Sequence, residues 1–211
     1  GIVQAVTYLV GVGAISQEDA DAEIAQRTIM FEASETNAVV IMDEELTDLT
    51  GINPQLVSMR QATADDLFVL PSKNFIGTEA VPGNPLTVNG VAIPLADKWA
   101  LTPQEQQAIK TATDAYNATI ESVATANGLA LVDFKNILIQ ASTAGISSGD
   151  FTLTTSLVTG GLVSLDGIHL TSRGYAVMAN EMMRAIDDTY GSNFEASGNF
   201  VDCGDYPTNY S

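Results

Sequence analysis

"LTPQEQQAIKTATDAYNATIESVATANGLALVDF", residues 101–134, decides the predicted fold, because a long helical pattern leads directly into a short apolar run. Thr102 suits the N-cap of the helix, Pro103 suits its first turn and Gly128 suits the position just past its end. The run "LALVDF" (129–134) is typical of a buried strand. A helix linked tightly to a buried strand indicates an α/β unit, so we expect a parallel sheet between helices.

The rest of the second half continues this alternation. "KNILIQAS" (135–142) predicts a short helix, and "DFTLTTS" (150–156) and "GLVSLDG" (161–167) predict strands or extended segments. A final helix is expected after Thr171, a suitable N-cap. Its apolar face is predicted to pack into the core and consists of Tyr175, Met178, Ala179, Met182, Met183 and Ile186. We expect residues 101–190 to form the C-terminal part of the core and residues 191–211 an irregular tail over the surface.

The first half is less regular. Residues 1–42 predict two short helices, the second opened by a capping box at Ser16, and then strands in "RTIMFEA" (27–33) and "AVVIMDE" (38–44). Five prolines interrupt residues 43–100, which we interpret as an inserted irregular cap. Within this cap, "LTVNGVAIPL" (86–95) predicts a hairpin, because an Asn-Gly pair can take the positive φ angles of a type I′ turn.

Composition excludes several classes of protein. The chain has 211 residues, of which 45% are hydrophobic, and this is enough to bury a sizeable core. Its formal net charge of −18 repels nucleic acids and anionic lipid surfaces, and it suits an extracellular medium. No apolar run reaches the roughly 18 residues of a membrane span. The single cysteine excludes an internal disulfide framework and a cysteine-rich zinc site, and we expect neither a metal nor a cofactor.

Other candidate features have ordinary structural interpretations. "MDEELTD" (42–48) could bind a hard cation such as calcium, but it lacks the spacing of an EF-hand loop, so we expect a solvated acidic loop. The Asp-Asp pairs that begin at 65 and 187 are predicted to be exposed. Four apolar residues of the cap could line a lid over an acyl pocket, although packing within a small cap core is favoured: Phe68, Leu70, Phe75 and Ile76.

The only histidine of the chain, His169, lies in "SLDGIHLTSRGY" (164–175), three residues after Asp166. At this spacing the carboxylate can fold back onto Nδ1 and leave Nε2 free to accept a proton, which is the arrangement of a general base and its orienting acid. Alternatively, Asp166 caps a turn and His169 is a partly buried neutral residue. Local chemistry leaves both interpretations open.

The same block resembles the last sequence block of the SGNH or GDSL hydrolases, a family of esterases and lipases. "SLDGIHLTSRGYAVMANEMMRAI" (164–186) is similar to their Asp-x-x-His-Leu-Thr-x-x-Gly-Tyr pattern, and residues 100–134 and "RQATADDLFVLP" (60–71) are similar to segments of larger secreted Bacteroidetes-type members. The resemblance implies a three-layer α/β/α fold and hydrolysis of a small carboxylic ester or lipid through a serine acyl-enzyme. It further implies His169 as general base, Asp166 as its orienter, and an extracellular or cell-envelope location in a bacterium.

The chain departs from the family in lacking a Gly-Asp-Ser block. Neither "SGDF" (148–151) nor "CGDYP" (203–207) has a serine after Gly-Asp. We therefore expect a fold that is incomplete at the N-terminus and a nucleophile outside this chain, with the missing half or a second copy as partner. Ser164, Ser142 and Ser156 stay open as internal alternatives. The alternative function is a catalytically inactive fragment or binding module that retains the C-terminal half of the fold.

Overall fold

The structure, a computed structural model, describes residues 1–209 and divides into two compact units, Gly1–Thr113 and Asp114–Ser211. The division falls within the long helix α4 (Pro103–Asn127), whose start after Thr102 and end before Gly128 agree with the sequence prediction. Six helices and six short strands lie within the described residues. The prediction of mixed α and β structure is therefore confirmed.

Two helices open the first unit, α1 (Ile2–Gly11) and α2 (Gln17–Gln26). The predicted capping box of α2 is present, since Ser16 Oγ accepts a hydrogen bond from the Asp19 N–H (3.0 Å) and the Asp19 carboxylate accepts one from the Ser16 N–H (3.3 Å). The two helices pack through one hydrophobic cluster, whose buried members are Ala5, Val6, Ala20 and Leu49.

The remainder of the first unit contains two small antiparallel ladders. β1 (Val40–Met42) pairs with β2 (Met59–Gln61), and β3 (Leu67–Phe68) pairs with β4 (Ala100–Leu101), while α3 (Ser72–Phe75) follows β3. Ile41, Ala62, Leu95 and Ala100 form their buried core. Three of the four apolar cap residues pack against this core, but Leu70 is 57% exposed.

A buried ion cluster ties β1 to β2 and to the turn that follows. Arg60 donates to Asp43 (2.5 Å) and to Asp66 (2.7 Å), and all three side chains are buried. Burial alone would raise the pKa of Asp66, but hydrogen bonds from Arg60 and from the Thr63 N–H lower that pKa overall. The prediction of solvated, exposed acidic residues is therefore wrong at Asp43 and Asp66, because each has a buried guanidinium as partner.

The prediction of a hairpin with a type I′ turn at Asn89-Gly90 is also wrong. Gly90 takes a φ of +83°, but within residues 1–209 no residue other than glycine has a positive φ, so Asn89 does not meet the demand of a type I′ turn. Asn89 instead donates its N–H to Thr78 O (2.9 Å) and its side-chain amide to Thr78 Oγ1 (3.1 Å). A local turn is still present, because the Val91 N–H donates to Val88 O (3.2 Å), but it is not the type I′ turn of a two-residue hairpin.

The second unit continues with α5 (Phe134–Thr143), the hairpin of β5 (Ile146–Ser148) and β6 (Phe151–Leu153), and α6 (Ser172–Tyr190). Its buried core consists of Ala141, Ile146, Leu153, Leu162, Ala176, Val177 and Cys203. Met178 of the predicted apolar face of α6 is buried, but Tyr175 and Met182 are 53% and 48% exposed. Ala176 and Val177 enter the core in their place. The tail contributes Cys203 to the core, so it is not confined to the surface.

Two predicted strands are not formed. Residues 129–134 adopt no strand, and Leu129 and Leu131 are 51% and 42% exposed. Residues 27–33 likewise form no strand, and Met30 is 64% exposed. A strand needs a paired neighbour, and within residues 1–209 no segment pairs with either run.

The strand ladders of this part of the chain are all antiparallel, and the expected parallel sheet is not among them. No described helix combines the length and the apolar character needed to cross a lipid bilayer.

Candidate active site

Residues 164–169, here called the dyad loop, form a tight turn at the start of α6. An antiparallel bridge between Val163 and Leu170 closes its base, and the Ser164 N–H donates to His169 O (2.8 Å). Inside the turn the Gly167 N–H donates to Ser164 O (3.0 Å), and Gly167 takes a φ of +73°, which only glycine adopts without strain. These backbone contacts bring positions 166 and 169 close together.

Asp166 is the centre of the hydrogen bonds in the dyad loop. Its Oδ1 accepts from Ser164 Oγ (2.6 Å) and from the N–H groups of Ile168 and His169 (both 2.9 Å). Its Oδ2 lies 2.7 Å from His169 Nδ1. Asp166 thus does what both interpretations of the sequence require, since it caps the turn and also contacts the imidazole.

These donors hold the pKa of Asp166 well below its usual range. The hydroxyl of Ser164 has the largest effect, followed by the imidazole of His169 and the two backbone N–H groups. Asp166 is therefore an ionised carboxylate at neutral pH and can only accept hydrogen bonds. For this reason the proton of the neutral imidazole lies on Nδ1, and Nε2 keeps its lone pair.

His169 is open to solvent. Its side chain is 69% exposed and that of Asp166 is 48% exposed, so the idea of a partly buried histidine does not describe this site. No serine among residues 1–209 is hydrogen-bonded to Nε2. Ser164 Oγ donates to Asp166 and Ser142 Oγ donates to Ile139 O within α5. The described residues thus place a base and its carboxylate together without an aligned nucleophile.

The first turn of α6 fixes the dyad loop from its C-terminal side. Thr171 Oγ1 accepts from the Gly174 N–H (3.0 Å) as N-cap and donates to Gly161 O (2.6 Å). The Thr171 N–H donates to Leu162 O (2.9 Å). A Cβ at Gly174 would lie 2.4 Å from Leu162 O, so only glycine permits this close approach. The sequence predicted the cap at Thr171, but not the packing role of Gly174.

The tail contacts the segments on both sides of the dyad loop, and sequence reasoning missed these contacts. Arg173 Nε donates to Cys203 O and Tyr206 O (both 3.0 Å). Asn209 Nδ2 donates to Val163 O (2.8 Å) and Leu157 O (3.2 Å). Partners 30 to 52 residues apart leave no local pattern that could have revealed them.

A cavity of about 400 Å³ lies between α5 and α6, but Asp166 and His169 do not line it. Its walls are mixed, with Arg184 and Glu181 on α6 facing Asn136 and Ile137 on α5. Within the described part of the chain, no group of three or more histidine, cysteine or acidic side chains is arranged to hold a metal ion. Of these features, the Asp166–His169 pair is therefore the candidate for a catalytic role.

Comparisons with protein-family models, with curated proteins and with solved structures each found no match to this chain.

Proposed function

We propose that the chain is part of a serine ester hydrolase in which His169 is the general base and Asp166 its orienting carboxylate. The observation that carries the proposal is the 2.7 Å contact between Asp166 Oδ2 and His169 Nδ1, together with an Nε2 that faces solvent. An ionised carboxylate on Nδ1 selects the tautomer that can accept a proton at Nε2, and it stabilises the imidazolium that results.

The nucleophile in this proposal is a serine outside the described residues. Two contacts favour this, because Ser164, which lies within the dyad loop, uses its hydroxyl to hold Asp166, and Ser142 uses its hydroxyl within α5. The SGNH resemblance supplies the wider expectation of a three-layer α/β/α fold with a parallel sheet, completed by a second segment. It also supplies the expected substrate, a small carboxylic ester or a lipid, and the secreted or cell-envelope location.

The reaction would follow the usual course of acyl transfer. Nε2 takes the proton from the serine hydroxyl as its oxygen bonds to the ester carbonyl carbon, and the carbonyl electron pair moves to oxygen. Nε2–H then protonates the departing alkoxide, which leaves an acyl-enzyme. A water molecule, deprotonated by Nε2, releases the acid and restores the serine. The oxyanion donors, like the serine, would come from the second segment.

A non-catalytic module that binds a partner is the second candidate. It is favoured by the same exposed imidazole, because no serine among the described residues is hydrogen-bonded to Nε2. In that case Asp166 serves only to cap the turn.

A serine-directed fluorophosphonate separates the two candidates. The chain is purified from its native source with its partners, and is compared with a His169→Gln variant produced in the same cells. We expect turnover of p-nitrophenyl butyrate that depends on His169, and a phosphonate label that peptide mapping by mass spectrometry places on a serine outside this chain. Absence of both turnover and label would reject the hydrolase. A label on any serine of this chain, including Ser164, Ser142 and Ser156, would reject the external nucleophile.

A further inference from the structure

We propose that residues 203–209, which we call the C-terminal strap, hold the dyad loop in place, with Asn209 and Arg173 as positioning residues. The inference deepens the proposed function and rests on it for its catalytic meaning, because the strap fixes the base on which that reaction depends. The contacts of the strap are hydrogen bonds between described residues, and they do not depend on the proposed function.

The dyad loop lacks packing that would hold it in place. Leu165 is 60% exposed, Ile168 is 81% exposed, and the imidazole itself faces solvent. Hydrogen bonds centred on Asp166 shape the loop internally, but they do not fix it to the rest of the unit. Its position therefore depends on the segments at its base, Val163 on one side and Leu170 on the other.

The strap is anchored at its start by the core and by α6. Cys203 is 2% exposed and belongs to the core cluster of this unit. Arg173, in the first turn of α6, bridges the carbonyls of Cys203 and Tyr206, and its own N–H donates to Pro207 O (3.2 Å). The guanidinium also lies over the ring of Phe151, with its central carbon 4.0 Å from the ring centroid. The strap is thus fixed to the helix that begins directly after the dyad loop.

Asn209 connects the strap to the base of the dyad loop. Its amide nitrogen donates to Val163 O and to Leu157 O, which uses both protons of one NH₂ group. Val163 directly precedes Ser164, whose N–H closes the loop on His169 O. A side chain that donates two hydrogen bonds is required here, and an oxygen in place of the nitrogen would face two carbonyl oxygens.

Asn209→Asp is the decisive variant, because it keeps the shape and removes both donors. The matched control is Asn127→Asp, which removes a side-chain hydrogen bond of 2.8 Å to Val123 O on α4. Asn209→Ala separates the lost donors from the added charge. Far-UV circular dichroism and the dispersion of the amide signals in the NMR spectrum show whether each variant is folded before the loop is measured.

The readout is hydrogen exchange of the Ile168 and His169 amides, followed by NMR in the 211-residue chain, together with the ring signals of the single histidine. Loss of the two hydrogen bonds predicts exchange that is roughly threefold or more faster in Asn209→Ala. In Asn209→Asp the new carboxylate also faces two carbonyl oxygens, so we expect exchange about tenfold faster. We expect the control to stay within about twofold of the unmodified chain.

Unchanged exchange in Asn209→Asp, or equal acceleration in Asn127→Asp, would overturn the positioning role. Both results are independent of ester turnover, because the exchange measurement needs neither substrate nor nucleophile. Failure of the hydrolase proposal would appear instead as missing phosphonate label in the native preparation, with the exchange difference intact. The two proposals can therefore fail separately.

Discussion

Gly174→Ala tests whether the close contact between α6 and residue 162 fixes the start of the helix. The added Cβ would lie 2.4 Å from Leu162 O, about 1 Å short of ordinary contact. The contact atom is a backbone oxygen that already accepts from the Thr171 N–H, so it cannot move aside without straining that bond.

The magnitude follows from three opposing effects. Overpacking costs roughly 1–3 kcal/mol, and a strained hydrogen bond adds about 1 kcal/mol. The better helix propensity of alanine returns up to about 1 kcal/mol. We expect a net loss of about 1–4 kcal/mol in the free energy of unfolding, which moves the urea midpoint down by roughly 0.5–2 M.

The assay uses two reporters that each occur once in the chain. The ring signals of His169 follow unfolding of the second unit, and Trp99 fluorescence follows the first unit. Gly11→Ala, followed by Trp99 fluorescence, is the control, because Gly11 also lies in a helix, has no positive φ, and an added Cβ there meets nothing within 4 Å. A Gly174→Ala midpoint equal to that of the unmodified chain, or an equally large fall in the midpoint of Gly11→Ala, would refute the steric argument.

Three further predictions concern charge and capping. Arg60→Met leaves two buried carboxylates unpaired, so the unfolding free energy measured by Trp99 fluorescence should fall by about 3–5 kcal/mol; a loss below 1 kcal/mol would contradict this. Thr171→Ala removes a helix cap and a buried hydrogen bond, so the free energy of unfolding measured in urea should fall by about 2 kcal/mol. Thr171→Ser keeps the hydroxyl and should retain most of this stability. Because the folded pKa of Asp166 is lowered, its hydrogen bonds persist above its unfolded pKa and are lost as pH falls through the folded value. The carboxyl carbon NMR shift of Asp166 should therefore remain that of the ionised form down to about pH 4 and titrate only in stronger acid, and a midpoint at or above the ordinary aspartate value of about 3.9 would show that the carboxylate is not held in this way.

Features with local causes were predictable from the sequence. Thr102, Ser16 and Thr171 were identified as N-caps because the capping bond joins a side chain to a backbone N–H only three residues away. The spacing of Asp166 and His169 likewise allowed their contact to be anticipated, because both ends of the contact lie in one turn. Their catalytic roles stay predictions.

Features that depend on distant partners were not predictable in this way. Asp43 and Asp66 look like solvent-facing charges until Arg60 is placed between them. "LALVDF" has the composition of a buried strand, yet it forms no strand and leaves Leu129 and Leu131 exposed, because a strand forms only beside a partner. Asn209 contacts Val163 across 46 residues, a distance over which no periodicity carries information.

Because Cys203 is buried, thiol labelling can measure the opening of the strap without any ester substrate. A thiol must reach solvent before its thiolate can attack a disulfide reagent such as DTNB, and the chain contains one cysteine. The rate of labelling of the native protein therefore reports how often the strap lifts from α6. The same burial shields the thiol from pairing with a second molecule in oxidising surroundings for as long as the strap stays closed.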